Sequence, residues 1–211
     1  MSLVIERPEE NIVYFKGIIE NYQEIIDAIE SLSNDAVSDW RPWNGHGSST
    51  RYGDIKDVRR DKIVEINSDK DRAKAAFAIN CLTNKMSECA IEYANIFNID
   101  REALYYAVSL LTDPRTMMGI NKYDEGSFMG SHVDLNEDNY YLAYTIVVYL
   151  NDDYEGGELY FNDLDIKIKP QAGSIIMYPS STPYSHQSLK VLKGRKMLIT
   201  HHWQMILPPN G

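Results

Sequence analysis

The chain has 211 residues, 44% hydrophobic and 25% charged, an ordinary globular balance and long enough to bury a full core without staples. Its formal net charge of −10 counts against a nucleic-acid backbone as the main partner, because such binding draws on Lys and Arg. No apolar run approaches the roughly 18 residues of a membrane span, and the start MSLVIERPEENIVYF does not read as a signal peptide, so the expected location is cytoplasmic.

In chain order, the first half has helical texture. From Ile19 to Leu32 the residues Ile19, Tyr22, Ile25, Ile26 and Ile29 recur at three and four, which predicts a helix with one buried stripe. The segment Ser38–Asp57 (SDWRPWNGHGSSTRYGD in its core) reads as a loop by composition, but an aromatic and cationic one, carrying Trp40, Arg41, Trp43, Arg51 and Tyr52. A long helix is expected over Asp69–Phe97, with Ala73, Phe77, Leu82, Met86, Cys89, Tyr93 and Phe97 as its apolar set and Ser68 or Asn67 as N-cap. Cys81 and Cys89 are the two cysteines of the chain. Eight residues of helix separate them by about 12 Å, too far for a disulfide. Both read as free thiols, in keeping with a reducing compartment. Asp100 is placed to cap a third helix that runs through Leu104, Ala107, Val108 and Leu111 and ends at Pro114.

From Thr116 the texture changes to short strands separated by turn signals. The expected strands are Thr116–Tyr123, Gly130–Asp134, Leu142–Asn151, Gly157–Phe161, Asp165–Lys169, Ser174–Tyr178, His186–Leu192 and Arg195–Trp203. The fold class expected is α+β: a double-stranded β-helix, or jelly roll, over residues 116–204, with the mainly helical N-terminal half (residues 1–115) packed on one sheet as a single domain.

Three features carry chemistry. In His132-Val133-Asp134 the first and third side chains share a strand face, so an imidazole and a carboxylate project together. Taken alone the tripeptide reads more readily as a hydrogen-bonded surface pair. His186, at the start of a later strand, would complete a 2-His-1-carboxylate facial triad and leave three octahedral positions open; a lone histidine there is otherwise a core or turn residue. Lys196 follows ten residues later, beyond a turn at Lys193-Gly194, which would return it beside the His186 strand and deeper in the barrel. A buried ammonium there requires an anionic partner, whereas a solvated lysine would not. Arg195, its neighbour, should face the other side of the strand. His201 and His202 are adjacent on the last strand with no spaced carboxylate, and both read as structural. His46 reads as an exposed loop residue, and Gly156-Gly157 as backbone geometry at a strand entry.

The ordered set Tyr123-x-x-Gly126, His132-x-Asp134, Tyr149-Leu150-Asn151 with Gly156-Gly157-Glu158-Leu159, Pro170-x-x-Gly173, His186 and Lys196 resembles the prolyl-4-hydroxylase-like branch of the Fe(II)/2-oxoglutarate oxygenases, over about Thr116 to Trp203. The resemblance implies that His132, Asp134 and His186 bind Fe(II), that Lys196 pairs with the C5 carboxylate of 2-oxoglutarate, that Tyr149 hydrogen-bonds the same carboxylate, and that Tyr123 lines the pocket. Plain core packing is the bland reading of both tyrosines. Met129 stands where some relatives have an aromatic residue, a departure in one pocket wall. The implied reaction is hydroxylation of an unactivated C–H bond by dioxygen, with release of succinate and CO2 and with ascorbate admitted as an addition. A peptidyl residue such as proline is the expected substrate, and a free amino acid or other small molecule the alternative within the superfamily. Outside it, the alternative is a non-catalytic cupin-like metal-binding module. The Ser38–Asp57 loop reads as a substrate lid, a cover for the barrel end or a dimer contact, and the oligomeric state is left open.

Overall fold

A computed structural model describes residues 4–32, 40–42, 54–59, 63, 65–113, 117–137 and 142–204. The chain begins with strands β1 (Val4–Glu9) and β2 (Ile12–Lys16), helix α1 (Tyr22–Ser31), and strands β3 (Arg41–Pro42) and β4 (Asp54–Arg59). Two helices follow, α2 (Asp69–Phe97) and α3 (Arg101–Thr112). The remainder is β5 (Met117–Tyr123), β6 (Met129–His132), β7 (Leu142–Tyr149), β8 (Glu155–Gly156), β9 (Leu159–Phe161), β10 (Ile166–Ile168), β11 (Ser174–Pro179), β12 (His186–Ser188), β13 (Val191–Lys193) and β14 (Lys196–Gln204).

Among the described residues these strands form an eight-stranded antiparallel sheet, ordered β1-β2-β11-β7-β14-β5-β4-β3, a smaller sheet β10-β9-β12-β6, and the pair β13-β8. The central strands of the large sheet are buried on both faces, and the period of two sorts their side chains. Ile146, Val148, Ile175, Met177, Met197, Ile199 and Trp203 join a core shared with Ile25, Ile29, Leu82, Met86 and Tyr93 of the helices. Val147, Tyr149, Ile176, Tyr178 and Leu198 face the other way, into a second core closed by Leu159, Phe161 and Val191 of the smaller sheets. The site lies within this second layer, between two sheets.

The helical expectations hold with small shifts. Helix α1 starts at Tyr22 rather than Ile19, whose amide instead donates to the Gly173 carbonyl at 2.9 Å. Helix α2 has the expected bounds, and the Ser68 hydroxyl accepts from the Asp71 amide. Its buried face is set by Ala75, Ala78, Ile79, Leu82, Met86, Cys89, Ala90 and Tyr93, and Phe77 lies on the exposed side. In α3 the Asp100 carboxylate accepts from the amides of Glu102 (2.8 Å) and Ala103 (3.3 Å), two donors that a helix start otherwise leaves unmet. Asp100→Ala is expected to lower stability by about 1 kcal/mol, read as a lower urea midpoint with an unchanged slope.

The first 60 residues depart from their expected helical texture, because four strands of the large sheet come from them. Ile12-Val13-Tyr14-Phe15 is buried throughout, Val13 and Phe15 toward the helices and Ile12 and Tyr14 toward the inter-sheet core. A strand buried on both faces shows no alternation, which is why a run of four apolar residues gives a weak strand signal. The Ser38–Asp57 segment is likewise not all loop. Arg41 and Pro42 pair with Ile55 and Asp54, and β4 lies along β5. The Trp40 ring packs beneath the Lys122 ammonium at 4.1 Å. Trp43, His46, Arg51 and Tyr52 fall outside the described residues. The run His186–Leu192, expected as one strand, divides into β12, which pairs with β6 and β9, and β13, which pairs with β8.

Candidate metal and cofactor site

His132 closes β6, and Asp134 follows two residues on, just past the strand end. His186 opens β12, and the two strands pair with His186 directly opposite His132. This register brings two imidazoles together, with ring centroids 4.4 Å apart. Ligand atoms of His132, Asp134 and His186 all lie within 4.8 Å of one another. His132 Nε2 is 3.4 Å from Asp134 Oδ1, and His186 Nε2 is 3.8 Å from Asp134 Oδ2. A divalent ion with bonds of about 2 Å needs ligand atoms about 3 Å apart along an octahedral face, so the triad requires only a small contraction.

Each ring is aimed by its own strand. His132 Nδ1 meets the Gly130 carbonyl at 2.9 Å, and His186 Nδ1 meets the Tyr184 carbonyl at 3.1 Å, each two residues back. A hydrogen on Nδ1 that satisfies a carbonyl leaves the Nε2 lone pair pointing at the site. Burial pushes His186 down to about 4, against the pull of the Asp134 charge, so it is neutral and able to ligate at pH 7. For His132 burial also pulls down, but its hydrogen bonds to Asp134 and the Gly130 carbonyl win and the net direction is upward. Burial alone would raise Asp134, yet the His132, His202 and His186 imidazoles gathered about its oxygens hold it well below the usual carboxylate range. The Thr145 hydroxyl donates to Asp134 Oδ2 at 2.5 Å and sits 2.9 Å from Ser180 Oγ, while the Leu135 amide donates to the Ser180 carbonyl. The carboxylate is thereby fixed although its chain segment is not a strand.

Lys196 starts β14 and is 1% exposed. Its backbone does not pair with the His186 strand, as the hairpin reading expected, although its side chain reaches that strand at Ser188. β14 pairs with β5 and β7, and Lys196 reaches toward the smaller sheets from the large one. Its Nζ donates to the Gly157 carbonyl at 2.9 Å and to Ser188 Oγ, and stands 4.8 Å from the Tyr123 ring centroid. Among the described residues no carboxylate lies within ion-pair distance of it, and Glu158 acts on it only as a more distant charge. Burial, and then the charge of Lys169, push it down to about 7. The carbonyl it uses depends on Gly156 and Gly157, both with positive φ; a Cβ on Gly156 would sit 2.3 Å from the Lys190 carbonyl oxygen. Arg195, on the other side, donates to Asp124 at 2.6 Å on the surface.

Residues 118–204 match the model of the 2OG-Fe(II) oxygenase superfamily. That segment carries all three triad residues and Lys196. In that segment the chain is similar to the 2OG-Fe(II) oxygenases. A PKHD-type hydroxylase of Prochlorococcus marinus (strain MIT 9515) is 31% identical over 128 residues, 56% of each chain. Human prolyl 3-hydroxylase 2 is 36% identical over 61 residues, which cover 26% of this chain and 9% of that protein. The chain thus spans little more than half of the first relative and a small part of the second. Among solved structures, a Trichoplax adhaerens prolyl hydroxylase in complex with a hypoxia inducible factor peptide superposes with TM-score 0.58 at 15% identity, covering 92% of this chain and 84% of that one. A Pseudomonas putida prolyl-4-hydroxylase gives TM-score 0.58 at 14% identity, covering 92% of each. At such identities the likeness establishes the jelly-roll fold; the human relative and both structures carry prolyl-hydroxylase names.

The donor set fits the two cofactors that give the superfamily its name, Fe(II) and 2-oxoglutarate: two imidazoles and a carboxylate for a metal, and a buried ammonium with no carboxylate at ion-pair distance among the described residues for a dicarboxylate. Tyr123 pairs with Lys196 across β5 and β14, and Tyr149 lies in the same inter-sheet core, 1% exposed. Two further residues reach this layer although no sequence signal marks them as functional. Tyr178 is fully buried, packs edge-on against His186 at 5.0 Å, and its hydroxyl has no hydrogen-bond partner among the described residues. It is one of 15 tyrosines, and only its parity on β11 with Ile176 distinguishes it. His202, expected to be structural, faces Asp134 with Nε2 3.7 Å from Oδ1. The carboxylate partner that is missing along the sequence comes from another strand end. His201 points to the opposite layer, where burial pushes it down to about 4. Among the described residues no helix is long and apolar enough to cross a membrane.

Proposed function

We propose that this chain is a Fe(II)- and 2-oxoglutarate-dependent hydroxylase of a peptidyl residue such as proline, with His132, Asp134 and His186 as metal ligands and Lys196 as partner of the C5 carboxylate. The observation that carries the reading is a set of candidate metal-ligand atoms within 4.8 Å of one another in the same inter-sheet layer as a buried lysine that has no carboxylate at ion-pair distance among the described residues. A barrel that only binds a metal has no use for that cation. When bound, the metal and 2-oxoglutarate supply oxidative decarboxylation by dioxygen, giving succinate and CO2, and the oxidant that hydroxylates a C–H bond. The protein's role is positional. Lys196 and the tyrosines Tyr123 and Tyr149 receive the far end of the dicarboxylate in the closed end of the barrel, where water is excluded. The triad fixes the reacting end. His132, with 34% of its side chain exposed, is the most open ligand, so the substrate enters from its side. No side chain need act as a catalytic acid or base. The peptide preference rests on the branch, one of whose solved members holds a peptide. The free thiols of Cys81 and Cys89 suit a cytoplasmic setting.

The first test is anaerobic addition of Fe(II) and 2-oxoglutarate to metal-free protein. A weak visible charge-transfer band is expected, and folded protein that gives none overturns the oxygenase reading in favour of a binding module. Substrate class is then read by mass spectrometry: gain of one oxygen atom on a peptidyl residue is expected, and turnover of a free amino acid with no modified protein overturns the peptide assignment.

A further inference from the structure

We infer that His202 is a positioning residue of the metal centre: its Nε2–H holds Oδ1 of Asp134 while the Thr145 hydroxyl holds Oδ2. This rests on the metal assignment of the triad. His202 and Thr145 stand opposite each other on β14 and β7, so both side chains leave the large sheet on the same face and meet the carboxylate from adjacent strands. The Thr145 contact is made, at 2.5 Å, whereas His202 Nε2 stops 3.7 Å from Oδ1 and is a buried nitrogen with no hydrogen-bond partner among the described residues. A buried, unpaired polar atom beside a buried carboxylate oxygen marks a contact that closes under some condition of the site.

Metal binding supplies that condition. Without a metal, two imidazole nitrogens compete for Oδ1, His132 Nε2 at 3.4 Å and His202 Nε2 at 3.7 Å. A metal draws His132 Nε2 away as a ligand, through the lone pair opposite the nitrogen that meets the Gly130 carbonyl. His202 is then the imidazole left to donate to Oδ1. It is not itself a ligand, because the cluster of converging ligand atoms comprises His132, Asp134 and His186 without it. Each carboxylate oxygen then has its own protein donor, and the plane of Asp134 is fixed whichever oxygen faces the ion. His201, one residue earlier and on the far side of the strand, supplies an internal control.

The test is titration of the metal-free full chain with Co(II), followed by its visible d–d absorption. His202→Ala is expected to weaken Co(II) binding about 10–100-fold and to shift the band. His202→Gln, whose side-chain amide can donate in place of Nε2–H, is expected to recover most of the affinity. His201→Ala is expected to lower the urea midpoint without changing Co(II) affinity. Wild-type affinity and spectrum in His202→Ala overturn the inference, and so does equal weakening in His202→Ala and His202→Gln, which would make the role one of packing alone. Failure of the wild-type protein to bind Co(II) sinks the triad assignment and this inference together; binding by the wild type with no effect at His202 sinks this inference only.

Discussion

Asp134→Ala is expected to abolish the charge-transfer band and to weaken Fe(II) binding by more than about 100-fold, since loss of an outer partner alone costs about 10–100-fold. Asp134 is the only anion of the triad and the hub of its contacts: His132, His186, His202 and Thr145 all approach its two oxygens. Removing it leaves neutral donors on a half-buried site and a hydroxyl that has lost its acceptor. The same substitution alters acid stability. A carboxylate held below its usual range stabilises the fold above its unfolded value near pH 4, and that contribution is lost as pH falls through the lowered value. The metal-free variant should therefore lack this component of the wild-type acid transition. Asp134→Asn separates the two roles, because an amide oxygen still accepts from Thr145 but carries no charge. Isothermal titration with Fe(II) under argon and acid denaturation followed by circular dichroism measure both. An undiminished band in Asp134→Ala would remove the triad.

Lys196→Met is expected to weaken 2-oxoglutarate binding by about two to three and a half orders of magnitude, equivalent to the roughly 3–5 kcal/mol lost on breaking a buried ion pair. The metal-free protein should respond in the opposite sense and become more stable, because the substitution removes a buried cation that has no carboxylate at ion-pair distance among the described residues. The pH dependence carries a sign that can be checked. The folded value of Lys196, about 7, is below the unfolded value of about 10.4. Between these the unfolded chain binds more protons, so stability of the metal-free protein rises with pH through that window. Cofactor binding needs the ammonium, so affinity should be highest below pH 7 and fall up to about tenfold per unit above it. Lys196→Arg, charged throughout, should flatten that profile. Calorimetric titration with 2-oxoglutarate from pH 6 to 9 decides it: a flat profile in the wild type, or unchanged affinity in Lys196→Met, removes the lysine from the cofactor site.

The features of the site most legible in the sequence are those encoded by short spacing. His132 and Asp134 are two residues apart, Asp100 stands just before a periodic apolar run, and Arg195 and Lys196 must face opposite ways on one strand. What the sequence conceals depends on contacts between distant segments. Ile12–Phe15 is buried on both faces, so its apolar residues do not alternate and no strand period appears. His202 needs a carboxylate, and the one it meets lies 68 residues earlier, past the end of β6. For Lys196 the spacing predicts that the side chain reaches the His186 strand, as it does at Ser188, but the wrong strand pairing, because the residues between it and His186 cross from one sheet to the other through β13. Spacing in sequence measures distance along one strand and carries no information about which sheet the next strand joins.

The two histidine tethers have a consequence for assembly. Gly130-Ser131-His132 and Tyr184-Ser185-His186 each orient a ring with a carbonyl of their own tripeptide, so each ligand is pre-aimed before the strands meet. What remains to be specified is alignment alone: a slip of one residue between β6 and β12 would turn one ring to the opposite face. Metal affinity therefore doubles as a gauge of strand alignment, and added Fe(II) should rescue chains caught in a shifted pairing by drawing them toward the one arrangement that can grip it.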